Sequence, residues 1–281
     1  MSPERRRAMA LRSLWTLHLP MLAIVLFAIG PYLWMLLTSV KPEATLFSPQ
    51  RSLWPESMTL ANYVRLLTKT SFIANIGHSL LVASGTVILG LAFSLTAAYA
   101  FSRFRFTGRR FLMLMFLLIN MFPLILLIIP LFIIMRQLGL LDTHLALILA
   151  HSTFSIPFAT WMMISYFNAI PRSLDEAAMV DGCSALGAMV KVVLPLTLPG
   201  VIATGIYIFI TSWNEFLYAS VLAGQDVRTL TVAVQTLIGE YEIAWGLLTA
   251  GGVLGALPVT LLFMFIQKRL IAGMTQGAVK G

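Results

Sequence analysis

The residue types that most often carry out chemistry are sparse in this sequence and follow no catalytic spacing. Four histidines, His18, His78, His144 and His151, are scattered without the spacing of metal ligands. The phosphate-loop pattern G-x-x-x-x-G-K-[ST] does not occur, so ATP would have to be bound by other chains. The sequence therefore predicts no enzymatic activity, no catalytic residue, no metal and no cofactor of its own.

Glu215 is the one acidic residue well inside a long apolar stretch, next to Trp213 and Asn214. An ionisable group costs about 2.5–3.5 kcal/mol at the centre of a membrane helix and marks a pathway or a partner by default. Counted from Pro199 at about 1.5 Å per residue, Glu215 falls in the outer part of a bilayer. A carboxylate beside Trp213 and Tyr218 suits sugar hydroxyls. The alternative is that Glu215 pairs with another subunit and never contacts a substrate.

Other polar residues within apolar stretches could face a pathway or could bond between helices, as polar groups in membrane helices commonly do. These residues are Asn120, His151, Ser152, Thr153 and Ser155. The set predicted to line a substrate pathway consists of Asn120, Trp213, Asn214, Glu215 and Tyr218.

The composition indicates that these residues are positioned by membrane-spanning helices. The chain has 281 residues, of which 59% are hydrophobic and only 11% charged, whereas a soluble domain carries about 25% charged residues. A single cysteine, Cys183, excludes a disulfide framework within the chain. The net charge of +8 is compatible with nucleic-acid binding or with basic cytoplasmic loops.

Six apolar segments have the length of about 20 residues that a helix needs to cross a bilayer. A secretory signal peptide has a shorter apolar core and a cleavage site, so we interpret the first segment as a retained helix. The sequence predicts one all-α transmembrane domain over residues 1–281, with a polar loop at 168–198. The predicted spans are 19–40, 76–101, 111–135, 145–167, 199–222 and 243–266.

The distribution of basic residues predicts the orientation of these spans. Six spans place both termini on one side, together with the turn at 103–110 and the loop at 168–198. That side holds thirteen of the 19 Lys and Arg residues and the other side holds six. The positive-inside rule therefore predicts cytoplasmic termini and a cytoplasmic loop. Because topology accounts for the basic residues, nucleic-acid binding is not expected.

The polar loop reads as two short helices joined by a glycine. Ser173 and Glu176 fit a capping box at the start of the first helix, and Asp175 and Glu176 suit the positive end of its dipole. Gly182 is placed to end that helix in a left-handed conformation. The pattern alone leaves two roles open, because such helices could dock on a partner or lie on lipid headgroups.

A second helix is expected in the loop after this glycine. Ser184 is placed to cap a helix over 185–194, and Pro195 is expected to end it. Ala177 and Ala178 would give the first helix a small-residue surface that fits a groove on a partner.

The loop resembles the EAA motif of ABC-importer permease subunits. That motif reads EAA, three residues, G, nine residues, I, one residue, LP. The chain has Glu176-Ala177-Ala178, Gly182, Val192 and Leu194-Pro195 at these positions, with Asp181 before the glycine. It departs from the motif in Val192 for Ile, and in Cys183 and Met189, where carbohydrate-type permeases usually have Ala and Phe.

Further segments resemble the carbohydrate permeases of the maltose-type (MalG-like) subfamily, so the resemblance covers nearly the whole chain. These segments are 38–42, 98–104, 106–109, 213–219 and 277–281. The resemblance implies a type I ABC importer permease (MetI-like) fold with six transmembrane helices. It also implies a subunit that forms half of a sugar-translocation pore in a bacterial inner membrane.

In that family the EAA loop forms coupling helices that sit in a cleft on the ATPase. Glu176 would make the polar contact and Gly182 would supply the bend. The implied partners are a second permease subunit, two ATP-binding subunits, an extracytoplasmic solute-binding protein and a sugar. The implied ATPase-coupling residues are Glu176, Ala177, Ala178, Asp181, Gly182, Leu194 and Pro195.

Two other classes of function are less compatible with the sequence. A stand-alone secondary transporter would be expected to show inverted repeats and paired interrupted helices, and neither pattern is visible. A membrane-embedded enzyme would need a catalytic constellation, which the sequence lacks.

Overall fold

A computed structural model shows an all-α chain. It describes residues 14–46, 54, 55, 57–239 and 243–278, apart from the side chains of 14 and 268–278. The basic N-terminal segment, the side chains of the basic tail, the end of the 277–281 motif and residues 240–242 lie outside this description. The helices in chain order are α1 (Leu19–Ser39, after a π-turn over Leu14–His18), α2 (Glu43–Leu46), α3 (Ala61–Lys69), α4 (Phe72–Arg103), α5 (Arg109–Met121), α6 (Ile128–Gln137), α7 (His144–Asn168), α8 (Arg172–Val180), α9 (Ala185–Ala188), α10 (Leu194–Leu196), α11 (Leu198–Trp213), α12 (Leu217–Leu222), α13 (Leu230–Gln235) and α14 (Trp245–Ala278).

Within the described part of the chain, four helices are long and apolar enough to cross a membrane. Two pairs of helices are sharply bent, and the number of candidate spans rises to six if each bent pair is counted as one span. Four of the six predicted spans are therefore continuous helices, while the third and fifth are interrupted. The continuous spans are Trp15–Ser39, Phe72–Arg103, His144–Asn168 and Trp245–Gln267.

The third predicted span, 111–135, is wrong as a single helix. Helix α5 ends at Met121, and the segment Leu124–Gln137 continues at an angle of 101° to it. Phe122 is extended, as expected for a residue before a proline, because the Pro123 ring disfavours helical backbone there. A 3-10 turn and α6 follow, so the proline ends the helix instead of kinking it.

The fifth predicted span, 199–222, is also wrong as a single helix. Helix α11 ends at Trp213, residues 214–216 are not helical, and the short helix α12 follows. At its other end, α11 makes an angle of 87° with the helical segment Ala185–Leu196 that precedes it. Glu215 therefore lies in a break between two helices and not within a continuous membrane helix.

The chain forms two compact units, the first comprising Met1–Ser71 and Thr236–Pro258. In this unit the buried Asn62 amide of α3 donates hydrogen bonds to the carbonyls of Ser39 and Lys41, at 2.9 Å each. Glu43 accepts a hydrogen bond of 2.9 Å from the backbone N–H of Gly246 at the start of α14. Asn62 therefore holds α3 against the end of α1, and Glu43 holds α2 against the start of α14.

The second unit comprises Phe72–Gln235 and Val259–Gly281, and α4 packs against both α7 and α11 within it. A Cβ atom built at Gly85 would lie 2.5 Å from Ile148, and one at Gly90 would lie 3.0 Å from Ile208. These glycines therefore let α4 approach its neighbours closely, as small residues do between membrane helices.

Asp142 anchors the loop after α12 to the turn between α6 and α7. Its carboxylate accepts hydrogen bonds from the backbone N–H groups of Gly224 at 2.7 Å, Val227 at 2.9 Å and Asp226 at 3.1 Å. Burial raises the pKa of Asp142, but these backbone donors outweigh it and hold the pKa below its ordinary value. The carboxylate is therefore the form that stabilises the fold.

We expect Asp142→Asn to lower stability by about 1–2 kcal/mol at neutral pH, because a neutral acceptor bonds more weakly than a carboxylate. Asparagine also tolerates the left-handed φ of 57° at this position. Since the folded-state pKa is depressed, the contribution of Asp142 is complete above its unfolded-state pKa and is lost as the pH falls through the folded value.

Thermal unfolding of the detergent-solubilised protein measures this effect. The difference in Tm between wild type and Asp142→Asn should shrink below about pH 4. Asp226→Asn, which changes an exposed carboxylate in the same loop, is the matched control and should leave Tm unchanged. A Tm difference that is constant from neutral to acidic pH would contradict the assignment.

Candidate functional site

The first helix of the polar loop begins two residues earlier than predicted. Helix α8 starts at Arg172 after Pro171, whose backbone is extended and which provides no side-chain cap. Ser173 is exposed and lies inside the helix, so the predicted capping box of Ser173 and Glu176 is wrong. The fixed φ of Pro171 places the chain at the start of the helix without a polar cap.

The end of α8 confirms the predicted glycine stop. Gly182 has a φ of +89°, in the left-handed region. Its N–H donates to the carbonyl of Met179 at 3.1 Å, and the N–H of Cys183 donates to the carbonyl of Ala178 at 3.0 Å. This pair of bonds is the Schellman arrangement, which glycine adopts without a steric penalty.

The second helix of the loop begins as predicted and continues further than predicted. The hydroxyl of Ser184 accepts the N–H of Gly187 at 3.1 Å, which confirms the cap. The helical segment then runs through a π-turn at Met189–Val193 and ends only at Leu196. The prediction that Pro195 ends the helix is wrong, since the wider π-turn before it accommodates the ring that would clash with an α-helical carbonyl.

The two faces of the loop differ in exposure. Glu176, Ala177, Asp181 and Gly182 are exposed, whereas Ala178 is buried against the chain. The small-residue surface predicted for Ala177 and Ala178 is therefore formed by Ala177 alone. Exposed apolar side chains also occur in both helical segments of the loop, and they are Met179, Val180, Leu186 and Val190.

The opposite face of the second helix packs into the core of the second unit. Met189 and Val193 are buried with Tyr99 of α4 and with Met163 and Phe167 of α7. Met189 stands where the family usually has Phe, and it fills this buried position with a flexible apolar chain. Of the other predicted coupling residues, Leu194 is partly buried and Pro195 is exposed.

Asp175 points away from the exposed face and is buried against α4. Its Oδ1 accepts the hydroxyl of Tyr99 at 2.9 Å. Its Oδ2 lies 2.9 Å from Nε of Arg103, an ion pair in which the N–H is not aligned with the oxygen. The sequence predicts only an interaction of Asp175 with the helix dipole, and its spacing gives no sign of this contact.

Glu215 is engaged by its own chain. Its carboxylate accepts the backbone N–H groups of Tyr218 at 2.8 Å and Ala219 at 3.0 Å, which caps α12. Oε2 also lies 3.1 Å from Nε2 of His151, which is fully buried. Nδ1 of His151 is 2.7 Å from the hydroxyl of Ser212 on α11. Glu215 therefore joins the break after α11 to the middle of α7.

The other predicted pathway residues are divided between buried and exposed positions. Trp213 is buried and stacks on Phe209, while the Tyr218 ring is buried against Phe154 and its hydroxyl bonds to a backbone carbonyl. Asn214 is exposed. Asn120 is exposed on α5 and donates a hydrogen bond to a carbonyl of its own helix. The structure therefore brings Trp213, Asn214, Glu215 and Tyr218 together at one helix break, and it leaves Asn120 on a different helix.

The remaining polar candidates are held within the helices. His151, Ser152 and Ser155 are buried, and Thr153 is exposed. Ser152 and Thr153 donate to carbonyls one turn earlier in α7, at 2.7 and 3.0 Å. Among the described residues, no group of three or more His, Cys, Asp or Glu side chains could hold a metal ion.

Comparisons with known proteins agree with this arrangement. A family model described as "Binding-protein-dependent transport system inner membrane component" matches residues 87–276. The chain is 39% identical over 252 residues to the sulfoquinovosyl glycerol transport system permease protein SmoH of Agrobacterium fabrum, covering 89% of this chain and 88% of that protein. It is 34% identical over 263 residues to the trehalose/maltose transport system permease protein MalG of Thermococcus litoralis, covering 92% and 94%.

A solved structure shows the same fold. The chain matches a chain of a bacterial ABC transporter involved in the import of the acidic polysaccharide alginate, with a TM-score of 0.79. The two are 23% identical, and the match covers 95% of this chain and 98% of the other.

The family match and the several apolar helices define a multi-pass inner-membrane component of a transport system. The chain belongs to the family of binding-protein-dependent transport system inner membrane components. The relatives confirm the predicted resemblance to carbohydrate ABC-importer permeases. They are permease proteins and not enzymes, so the prediction that this chain is not an enzyme is also confirmed.

Proposed function

We propose that this chain is a permease subunit of an ATP-driven carbohydrate importer and forms half of its translocation pore. The relatives transport trehalose, maltose or sulfoquinovosyl glycerol by name, which supports a sugar or sugar derivative as the substrate. The observation that carries the proposal is the loop at 168–198, whose family motif folds as two helices around a left-handed glycine.

The loop would couple the pore to the ATPase subunits through its exposed face. Glu176, Ala177, Asp181 and Gly182 are exposed on α8 and the turn after it, next to the apolar side chain of Val180. Exposed acidic groups on a helix that also exposes apolar side chains are suited to a protein cleft, and they are poorly suited to anionic headgroups because like charges repel. This favours docking on a partner over the headgroup alternative.

The partners would be a second, different permease subunit, two ATP-binding subunits and an extracytoplasmic solute-binding protein. The family description names binding-protein dependence. The basic residues support cytoplasmic termini and a cytoplasmic loop. Residues 1–281 would act as one permease domain within this complex.

Among the predicted pathway residues, exposure favours Asn120 and Asn214 as those that could meet a substrate. Glu215, Trp213 and Tyr218 would instead hold the helix break in place, since each is engaged by its own chain. A pathway role for Glu215 stays a prediction that mutagenesis can test.

Co-purification tests the proposal. The tagged chain, expressed with the products of its neighbouring genes, should retain a second permease and two ATP-binding subunits. That complex should import at least one sugar from a labelled panel of maltose, trehalose and sulfoquinovosyl glycerol. A chain that purifies alone and transports without ATP would be a secondary transporter and would overturn the proposal.

A further inference from the structure

We propose that Asp175 is a positioning residue that transmits the displacement of the coupling loop to helix α4. This inference rests on the proposed function, because it describes how movement at the ATPase contact would reach the membrane helices. It assigns a role to three side chains outside the EAA positions, which are Tyr99, Arg103 and Asp175.

The contact is buried on both sides. The Asp175 residue is 3% exposed, and the Arg103 side chain is 7% exposed. Both carboxylate oxygens are engaged, one by the Tyr99 hydroxyl at 2.9 Å and the other by Arg103 Nε at 2.9 Å. A buried carboxylate with two partners cannot move independently of them without exposing or isolating a charge. The first coupling helix is therefore tied to the last turn of α4.

Three further hydrogen bonds hold the start of α8 and the end of α7 against the end of α4. Arg172 donates to the carbonyl of Ser102 at 2.7 Å, and Arg103 donates to the carbonyl of Ile170 at 3.2 Å. The hydroxyl of Ser102 donates to Asn168, at the end of α7, at 2.8 Å. The ends of α4 and α7 and the first turn of α8 thus form one bonded group.

Asp175 and Glu176 are adjacent in α8 and face opposite environments. Glu176 is exposed on the face proposed to meet the ATPase, whereas Asp175 is buried against α4. Successive residues of a helix are about 100° apart, which lets the two side chains face different environments. Because both belong to one short helix, a displacement of Glu176 moves Asp175 with it. Movement at the docking face is therefore delivered to Tyr99 and Arg103.

Helix α4 also reaches the helix break that holds Glu215. Thr86, about 20 Å along α4 from Tyr99, lies 3.4 Å from the hydroxyl of Ser212. Ser212 contacts His151, which pairs with Glu215. A single rigid helix thus contacts the loop at one end and the polar cluster near its middle, which is the arrangement that transmission requires.

The competing explanation is that the buried pair only stabilises the fold. The two roles predict different kinetics in the reconstituted complex. Loss of stability alone lowers sugar uptake and ATP hydrolysis in proportion, because both depend on the amount of assembled complex. Loss of transmission lowers the sugar imported per ATP hydrolysed.

The experiment compares Asp175→Asn, Tyr99→Phe and Arg105→Gln in the complete complex in proteoliposomes. Asp175→Asn keeps the shape of the side chain and removes the charge. Tyr99→Phe removes one hydroxyl and leaves the ion pair, so it remains informative if Asp175→Asn does not assemble. Arg105 lies two residues from Arg103, is exposed and has no ion pair among the described residues, which makes Arg105→Gln the matched control.

We expect the ratio of imported sugar to hydrolysed ATP to fall about tenfold in Asp175→Asn and about threefold in Tyr99→Phe, since a buried charge is lost only in the first. Arg105→Gln should match wild type. A ratio within about twofold of wild type in both Asp175→Asn and Tyr99→Phe would overturn the inference. A proportional fall of sugar uptake and ATP hydrolysis in these two variants would also overturn it. Failure of the proposed function itself is distinct, because the wild-type complex would then show no ATP-dependent import.

Discussion

Replacing Gly182 with arginine should reduce ATP-dependent sugar uptake at least tenfold while the chain still inserts and assembles. Gly182 has a φ of +89°, where any side chain costs about 1–2 kcal/mol. A Cβ atom there meets no atom within 4 Å, so the fold itself has room for the substitution. The arginine would instead project from the exposed turn of the loop and would prevent the proposed docking of the loop on an ATP-binding subunit. Uptake by proteoliposomes and the yield of the purified complex measure the two effects.

The control for this prediction is Gly139→Arg. Gly139 also has a left-handed φ, of +66°, and open space around its Cβ position. It lies in the turn between α6 and α7, outside the coupling loop. Both variants therefore carry a similar backbone strain, but only Gly182→Arg should lose sugar uptake while the complex still assembles. Normal uptake in Gly182→Arg, or an equal loss in Gly139→Arg, would argue against a docking role for the loop.

Removing the Glu215 carboxylate should destabilise the protein instead of selectively impairing transport. Glu215→Ala leaves the N–H groups of Tyr218 and Ala219 without their acceptor and isolates the buried His151. Each buried polar group left without its partner costs about 1–3 kcal/mol. Thermal unfolding and the yield of assembled complex should fall, and uptake should fall only in proportion to that yield.

Glu215→Gln is the matched variant, because its amide oxygen can still accept one of the backbone N–H groups. We expect its loss of stability to be about half that of Glu215→Ala. An Ala variant that assembles fully, unfolds at the wild-type temperature and imports no sugar would favour the pathway role that the sequence predicted for this carboxylate.

Local signals in the sequence predicted much of the structure of the polar loop. Gly182 and Ser184 act through their own backbone and the next turn of helix, so residue type was sufficient to place them. Ser173 was misassigned because Pro171 can begin a helix without a polar cap. The core positions of Ala178 and Met189 depend on which side of each helix faces α4 and α7. The loop sequence alone does not fix that orientation.

Hydropathy located the apolar helical segments but did not detect their interruptions. The break at Pro123 lies within continuous apolar sequence, and the break at 214–216 contains only Asn214 and Glu215 as polar residues within a long apolar stretch. The mean hydropathy therefore gives the same signal for a straight helix and for a bent pair. The restriction that a proline places on the residue before it was the available sign for the first break. The second break lacks a comparable sign, because Glu215 stabilises it through backbone contacts that only the fold creates.

The contact of Asp175 with α4 could not be predicted from spacing. Tyr99 and Asp175 are 76 residues apart and lie on different helices. Only the packing of α8 against the end of α4 brings the carboxylate to the hydroxyl and to Arg103. A long-range pair of this kind needs either a structure or covariation between the two positions.

In the proposed importer, ATP hydrolysis by partner subunits drives sugar through a pore formed in part by this chain. The most direct measurement is uptake of the labelled sugar panel into proteoliposomes containing this chain, its co-purified subunits and the solute-binding protein. Uptake should require ATP and should disappear when the ATP-binding subunits are omitted or when ATP is replaced by a non-hydrolysable analogue. Sugar uptake by this chain alone, driven by an ion gradient without ATP, would contradict the account.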